Sequence, residues 1–423
     1  MKRRLPIIVL SAAVALSMAS CEKDPLKQEG ERVWKNVPIY LTKTQNELVT
    51  SGNVFAFDFF REMVKQENGG SVLVSPFSLQ AALSMLAGGA EGETYDEIVS
   101  ALGWEGFTIE EVNSLYSALS GGLVSVDKEV SLEIANSVWT QNDYPIKESY
   151  ISSLSTNYDA EARSVDFKSP STLGEINSWC SDKTHGMIPK MLDNINPYTK
   201  LMLLNALYFK GTWQDKFSSK KSSNGKFQTP SGSSKVKFMN DKRDCLGLYS
   251  EGFRICELPY GGGYFTFDVI LPDEGTDFDK FVSEFDDTFW AECRSKMRAY
   301  EVDLSLPVFS QDYSSEDKII PFLKDRGMTR AFEPFVAQFG KISDDNSLFV
   351  GEILQKTAIK TDEKGSEAAA VTEIGMRIGS AGPDHEVVVI EVPKMTFKAD
   401  RPFIYMIREI SSGTILFMGA YKG

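Results

Sequence analysis

The sequence predicts an α+β fold built as one large mixed domain. Its first half carries apolar residues at helical spacing behind cap signals, and its second half is crowded with β-branched and aromatic runs. No fixed-period repeat and no proline- or glycine-rich linker divides the chain after residue 40. A length of 423 residues would by itself suggest two or three domains, but without a linker one large core is the simpler solution.

Within 53–66, Ala56, Phe59, Phe60 and Met63 fall on one helical face. Ser75-Pro76 then offers a capping serine followed by a proline suited to a first helical turn. Thr94 with Glu97, and Thr172 with Glu175, have capping-box spacing and predict two further helix starts. Strands are expected at 130–139 and 200–209, the second rich in Leu and Met and so buried on both faces. From Arg254 the balance shifts to β, with runs at 264–271, 301–308, 386–392 and 403–410. The last of these turns through Ser411-Ser412-Gly413 into 414–421.

Hydrophobic residues at 42% and charged residues at 25% fit a globular protein and exclude collagen, coiled-coil rods and long disorder. A net charge of −14 leaves no basic footprint for nucleic acid. With only His185 and His385, a multi-histidine metal site or a histidine-centred catalytic relay has little to draw on, and no cofactor is expected. Residues 1–20 read as a signal peptide, with Lys2, Arg3 and Arg4 ahead of an apolar run and small residues. Met18-Ala19-Ser20-Cys21 resembles a bacterial lipobox, which makes Cys21 the lipidated residue and 21–40 a lipid-anchored tether before a domain at 41–423. The expectation is an exported lipoprotein, at the outer membrane or cell surface or facing the periplasm, touching membrane only through its lipid. A soluble secreted protein with an incidental Cys21 is the alternative. Cys180, Cys245, Cys256 and Cys293 form no C-x-x-C pair and are expected as buried thiols, although an oxidising compartment permits a 245–256 disulfide.

The informative stretch runs from Glu363 to Ser380. Read at period two, Ser366, Ala368, Ala370, Thr372, Ile374, Met376 and Ile378 form an uncharged set, while Glu367, Glu373 and Arg377 fall in the other. That is a strand pattern with one face meant for a core. Its inward residues are smallest near Gly365, which suits a strand sliding into a tight gap in an existing sheet. Proline is absent until Pro383, so each position before it can donate to a ladder. Residues 366–378 would span about 43 Å, far beyond an average strand. An Ala-rich helix is the competing reading, opposed by Gly365, Val371, Thr372, Ile374, Gly375 and Ile378.

These residues resemble the reactive-centre loop of an inhibitory serpin. Glu363, Gly365, Ser366, Glu367, Ala368, Ala369, Ala370, Val371 and Thr372 match the family's hinge, where a small residue follows glycine and alanines follow the glutamate. Further likenesses cover nearly the whole domain: Asn53-Val54-Phe55-Ala56, Ser75-Pro76-Phe77-Ser78, the run from Asn205 to Trp213, Glu257-Leu258-Pro259-Tyr260, Asp400-Arg401-Pro402-Phe403 and the run from Gly413 to Gly419. The resemblance implies a serpin fold with a large central β-sheet A, two further sheets, eight to nine helices and an exposed loop at about 363–392. It also implies a suicide-substrate inhibitor of serine proteases, with cysteine proteases as a second class of partner, acting as a monomer through a covalent complex. A protease cuts the loop, and the freed hinge enters sheet A and carries the acyl-enzyme away.

The same likeness assigns Ser75, Ser78, Asn205 and Gln355 to the shutter and Trp213 to the breach. Two departures stand out. Gln355 occupies a position where many members have histidine, as an amide replacement. Val308 occupies one where many have a lysine that pairs with the position of Glu363, so Glu363 is expected to lack that partner. Cleavage is expected among Met376, Arg377, Ile378, Gly379 and Ser380, counted to Gly379-Ser380, and the long loop is expected to present more than one cleavable bond.

Rival readings have less support. Ser218-Ser219-Lys220-Lys221 contains an S-x-x-K without its companion motifs, and Gly379-Ser380-Ala381-Gly382 misses the nucleophile elbow because residue 378 is isoleucine. No catalytic residue is assigned. A non-inhibitory binding or carrier protein on the same fold is the alternative, opposed by the small residues from Ser366 to Ala370.

Overall fold

A computed structural model describes residues 37–143, 145–196, 198–315, 317–366 and 392–423. The chain opens with α1 (Lys43–Gln66), β1 (Val72–Val74), α2 (Pro76–Gly89), α3 (Gly92–Leu102), α4 (Ile109–Leu123), β2 (Val130–Gln141), α5 (Glu148–Tyr158), β3 (Glu161–Val165) and α6 (Pro170–Lys183). A strand-rich part follows: β4 (Leu201–Thr212), β5 (Ser223–Thr229), β6 (Gly232–Ser250), β7 (Phe253–Tyr260) and β8 (Phe265–Pro272). After α7 (Phe278–Glu284) and α8 (Asp287–Lys296) come β9 (Arg298–Pro307), β10 (Phe309–Ser314) and α9 (Ile319–Asp325). The chain ends with β11 (Val350–Leu354), β12 (Lys356–Asp362), β13 (Gly365–Ser366), β14 (Lys394–Lys398), β15 (Phe403–Glu409) and β16 (Ile415–Tyr421).

The described residues thus hold nine α-helices and two hydrogen-bonded sheets. One has nine strands in the order β1-β16-β15-β8-β7-β6-β9-β14, with β5 on β6; the other has seven in the order β10-β12-β13-β4-β2-β3, with β11 on β4. The 19-residue β6 pairs with β5, β7 and β9, so strands that could form two smaller sheets run into one ladder.

Local chemistry explains most element ends. Thr42 and Gln45 form a reciprocal capping box, so α1 begins ten residues before the apolar spacing made it visible. Ser75 caps α2 as expected, with Pro76 in the first turn. The two other expected boxes are not caps. Thr94 lies inside α3 and accepts from the Gln338 N–H at 3.0 Å, while Thr172 lies inside α6 and donates to the Asp166 carbonyl at 2.7 Å. Ser169 caps α6 instead. The β-rich part begins at Leu201 rather than at Arg254, because β5 and β6 are polar hairpin strands that hydrophobic runs do not reveal.

The main core joins α1, α2 and the facing sides of the two sheets, and α2 is buried almost all round. A smaller apolar cluster lies on the other face of the seven-stranded sheet, where Ile176, Trp179 and Cys180 of α6 pack over Ala135, Trp139, Met202, Leu204 and Leu354. The expected strand at 386–392 falls outside the described residues except at Val392. The four described cysteines are buried and free.

A charged knot lies inside the nine-stranded sheet. Arg408 donates to Asp268 at 3.1 Å and to Glu257 at 2.8 Å, and Arg294 donates to Glu257 at 3.0 Å. Removing one partner of such a group leaves buried charge unbalanced. Arg408→Leu is therefore expected to cost about 3–5 kcal/mol, read from the urea midpoint, with a more conservative surface change such as Lys296→Gln leaving the midpoint in place.

Candidate functional site

The chain leaves β12, turns at Glu363-Lys364 and returns as β13 between β12 and β4. Gly365 pairs with Asp362 and Thr212, and Ser366 with Thr361 and Gly211. This entry requires glycine. Gly365 has φ +148°, and a Cβ there would lie 2.0 Å from the Gly211 carbonyl oxygen and 2.6 Å from the Thr212 Cα.

Backbone and side chains fix the turn. The Trp213 N–H donates to the Lys364 carbonyl at 2.9 Å, its indole N–H to the Asp362 carbonyl at 2.8 Å, and the Phe217 N–H to the Glu363 carbonyl at 3.0 Å. The Glu363 carboxylate accepts from the Ser222 hydroxyl at 2.7 Å and pairs with Lys237 on β6. Glu363 lacks a lysine at position 308, as expected, but Lys237 supplies the cation in its place. Val308 donates its N–H to the Lys237 carbonyl at 2.8 Å, so the cation comes from the strand beside the position where the sequence has valine.

Ser366 is buried, its hydroxyl 2.7 Å from the Tyr260 phenol and 3.3 Å from the Thr361 hydroxyl. Tyr260 stacks on Trp213 with centroids 4.6 Å apart. Its burial pushes the phenol well above its ordinary pKa, so it stays neutral and can donate to Ser366.

Below Ser366, β4 and β12 are not paired with each other among the described residues. β11 runs parallel to β4 and pairs with it from Val350–Leu201 to Leu354–Leu204. Between that closed end and the two hinge residues, no ladder pair joins 205–210 to 356–360 among the described residues.

Polar groups gather where the two strands close. The Ser75 N–H donates to the Gln355 side-chain oxygen at 2.9 Å, and the Gln355 amide donates back to the Ser75 carbonyl at 2.8 Å. The Ser75 hydroxyl donates to the Leu416 carbonyl at 2.7 Å and lies 2.9 Å from the Ser78 hydroxyl. The Asn205 amide donates to the Asn136 side chain at 2.5 Å, while its buried Oδ1 has no partner among the described residues. Gln355 thus holds α2 by both of its amide groups, as one side chain with a donor and an acceptor can.

Sequence reading missed Lys237, Tyr260's role against Ser366, Asn136 and Thr357, which donates to the Leu73 carbonyl at 2.7 Å and ties β12 to β1. Each partner is distant in sequence, and no local pattern marks it. Ser75, Ser78, Asn205, Gln355, Trp213, Glu363, Gly365 and Ser366 lie in or beside the open seam. Cys21, Glu367 to Thr372 and Met376 to Ser380 lie outside the described residues. The lysine of the S-x-x-K, Lys221, donates to Asp241 at 2.6 Å. Among the described residues no group of three or more His, Cys, Asp or Glu could hold a metal, and no helix is long and apolar enough to cross a membrane.

Gln355→Ala would leave a buried N–H and carbonyl of Ser75 without partners, and is expected to destabilise the protein by about 2–3 kcal/mol in urea unfolding. Glu363 supplies a pH test. Burial would raise its carboxyl, but Lys237 and Ser222 bring it below its ordinary value of 4.5. A carboxyl depressed by folding contributes stability above its unfolded pKa and loses it as pH falls through the folded value. The difference in Tm between the wild type and Glu363→Gln is expected to be full above the ordinary value of 4.5 and to shrink as pH falls below it. A difference that does not change at any pH down to acid unfolding would show that the Glu363–Lys237 pair does not stabilise the turn.

The comparisons with known proteins agree with this architecture. The family described as Serpin (serine protease inhibitor) matches residues 50–422. An uncharacterized serpin-like protein of Thermococcus kodakarensis is 32% identical over 89% of this chain and 85% of its own. The leukocyte elastase inhibitor of Equus caballus is 31% identical over 89% of this chain and 99% of its own. Among solved structures, the thermophilic serpin tengpin in its native state superposes with a TM-score of 0.80 at 29% identity, covering 92% of this chain and 96% of tengpin. Human thyroxine-binding globulin in complex with its hormone superposes at 0.79 with 25% identity, over 90% of this chain and 99% of the globulin. With the family matched along nearly the whole domain and the hinge seated at the head of an open seam, this chain belongs to the serpin family.

Proposed function

We propose that this serpin inhibits serine proteases, with cysteine proteases as a second class, as an irreversible suicide substrate. The observation that carries the reading is the seam: two hinge residues are already paired on both sides, and beyond them β4 and β12 share no ladder pair with each other among the described residues. Continuing the same register places residue 368 opposite Ile359 and Phe209, residue 370 opposite Thr357 and Leu207, and residue 372 opposite Gln355 and Asn205. Past that point the Leu354–Leu204 pair must part. Phe209, Leu207 and Ile359 are buried, so the positions facing them leave room for small side chains, and the sequence has Ala368 and Ala370.

Each residue that enters gains ladder bonds on two sides. The uncut protein is thus a kinetically held state, and cutting the loop releases it. The protease's nucleophile displaces the amine side of the scissile bond and keeps the other side as an acyl-enzyme, which insertion must carry off before water hydrolyses it. The leukocyte elastase inhibitor name of the mammalian relatives supports the partner class. We further propose that the protein is a monomer, exported and anchored by lipid at Cys21.

The carrier reading draws on the thyroxine-binding globulin likeness and would use a cavity of about 750 Å³ beside α1, α7 and α9. Much of its charged lining is paired internally: Asp58 with Arg61 and Arg326, and Glu62 with Lys65.

The test uses the protein lacking residues 1–36 with trypsin, elastase, subtilisin and a papain-like enzyme. An SDS-stable adduct is expected with at least one of them. Sequencing the released C-terminal fragments is expected to give more than one start between Met376 and Ser380. Ala370→Pro is expected to abolish the adduct while cleavage continues, because proline cannot donate to the ladder. Cleavage by all four enzymes without any adduct would overturn the inhibitory reading.

A further inference from the structure

The net charge of −14 hides one stretch of opposite sign. Between Lys216 and Arg243 the chain carries eight Lys or Arg residues and a single acid, Asp241. The fold gathers them on the β5–β6 hairpin and the turn that leads into it. Lys226 stands directly opposite Lys235 in the ladder, and Lys237, two residues further along β6, lies on the same face. The Asn240 amide donates to the Lys221 carbonyl at 2.9 Å and to the Ser223 hydroxyl at 3.0 Å, which fixes the turn at Ser219–Lys221 against β6. Lys216, Lys220, Lys226 and Lys235 are exposed. Like charges placed opposite each other weaken strand pairing, so stability does not account for Lys226 facing Lys235.

This basic strip borders the hinge. Lys237 pairs with Glu363, the Ser222 hydroxyl donates to the same carboxylate at 2.7 Å, and the Phe217 N–H donates to the Glu363 carbonyl at 3.0 Å. We infer that the hairpin is a steering surface for serine proteases that present an acidic face. The inference deepens the inhibitory reading above and rests on it. A chain of this net charge repels an acidic enzyme at long range, and the strip reverses the sign of the field beside the hinge. Solvated lysines add little to affinity, but their summed field raises the rate of encounter and is screened by salt. The strip has no exposed large hydrophobic side chain, and its one arginine, Arg243, is engaged by Asp241 and the Asp215 carbonyl. It therefore lacks the aromatic and arginine anchors of a tight interface and suits encounter rather than grip.

The experiment compares the wild type with the variant Lys216→Gln/Lys220→Gln/Lys226→Gln/Lys235→Gln against the anionic and cationic isoforms of trypsin, which share one cleavage specificity and differ in net charge. The variant is expected to melt at or above the wild-type temperature, because a like-charge pair is lost. Its association rate constant with anionic trypsin is expected to fall about tenfold at low salt, with no fall for cationic trypsin and no difference at about 0.5 M salt. Equal rates for the two proteins with anionic trypsin, or the same loss with both isoforms, would overturn the surface while leaving inhibition intact. A second arm uses anionic trypsin whose nucleophilic serine is replaced by alanine, so that docking is read without cleavage. The wild type is expected to bind it about tenfold more tightly than the variant at low salt. This arm decides the surface even where no adduct forms, so failure of docking and failure of inhibition are read apart. Retention of the wild type on immobilised heparin, with equal docking of trypsin by both proteins, would assign the strip to sulfated polysaccharide and overturn it as a protease surface.

Discussion

The rest of the structure depends on a backbone constraint: β4 and β12 run parallel, one strand's width apart at one end and closed through β11 at the other. A sheet with such a seam has edges inside it, and unpaired strand edges recruit a partner. The hinge supplies the first two residues of one, and Trp213, Phe217, Ser222 and Lys237 hold the turn behind them. The aromatic stack of Trp213 on Tyr260 lies beneath, where it meets Ser366 and sets how deep the hinge sits.

The two ends of the seam are held by different chemistry. At the open end an ion pair and backbone bonds restrain the turn, and these are partly solvated and can exchange. At the closed end Gln355, Ser75 and Thr357 join β11–β12 to α2 and β1 through buried hydrogen bonds. Buried bonds are costly to break without replacement. The seam can therefore widen from the hinge downward more readily than from the shutter upward. Asn205 Oδ1, buried and unpartnered among the described residues, marks where that advance meets the shutter.

Part of this was legible in the sequence. The strand expected from Ser366 begins as one at Gly365–Ser366, and its alternation reflects a period of two, which one strand displays without help from the rest of the fold; the residues after Ser366 lie outside the described ones. Ser75 and Pro76 announced α2 because a helix start is a local event. The expected capping boxes at Thr94 and Thr172 failed for the same reason in reverse. Their spacing is right, but Gln338 and Asp166 engage the two hydroxyls, and the helices had already begun.

The sequence by itself determined the start of α2 at Ser75-Pro76 and the sets of small and charged residues that alternate from Ser366. Those properties arise from neighbours along the chain. Only the tertiary structure decided that a Cβ at 365 would meet the Gly211 carbonyl, that Lys237 answers Glu363, and that Gln355 grips Ser75 with both ends of its amide. Each of these joins residues far apart in sequence through strand register, and register is set by the whole sheet rather than by any one segment.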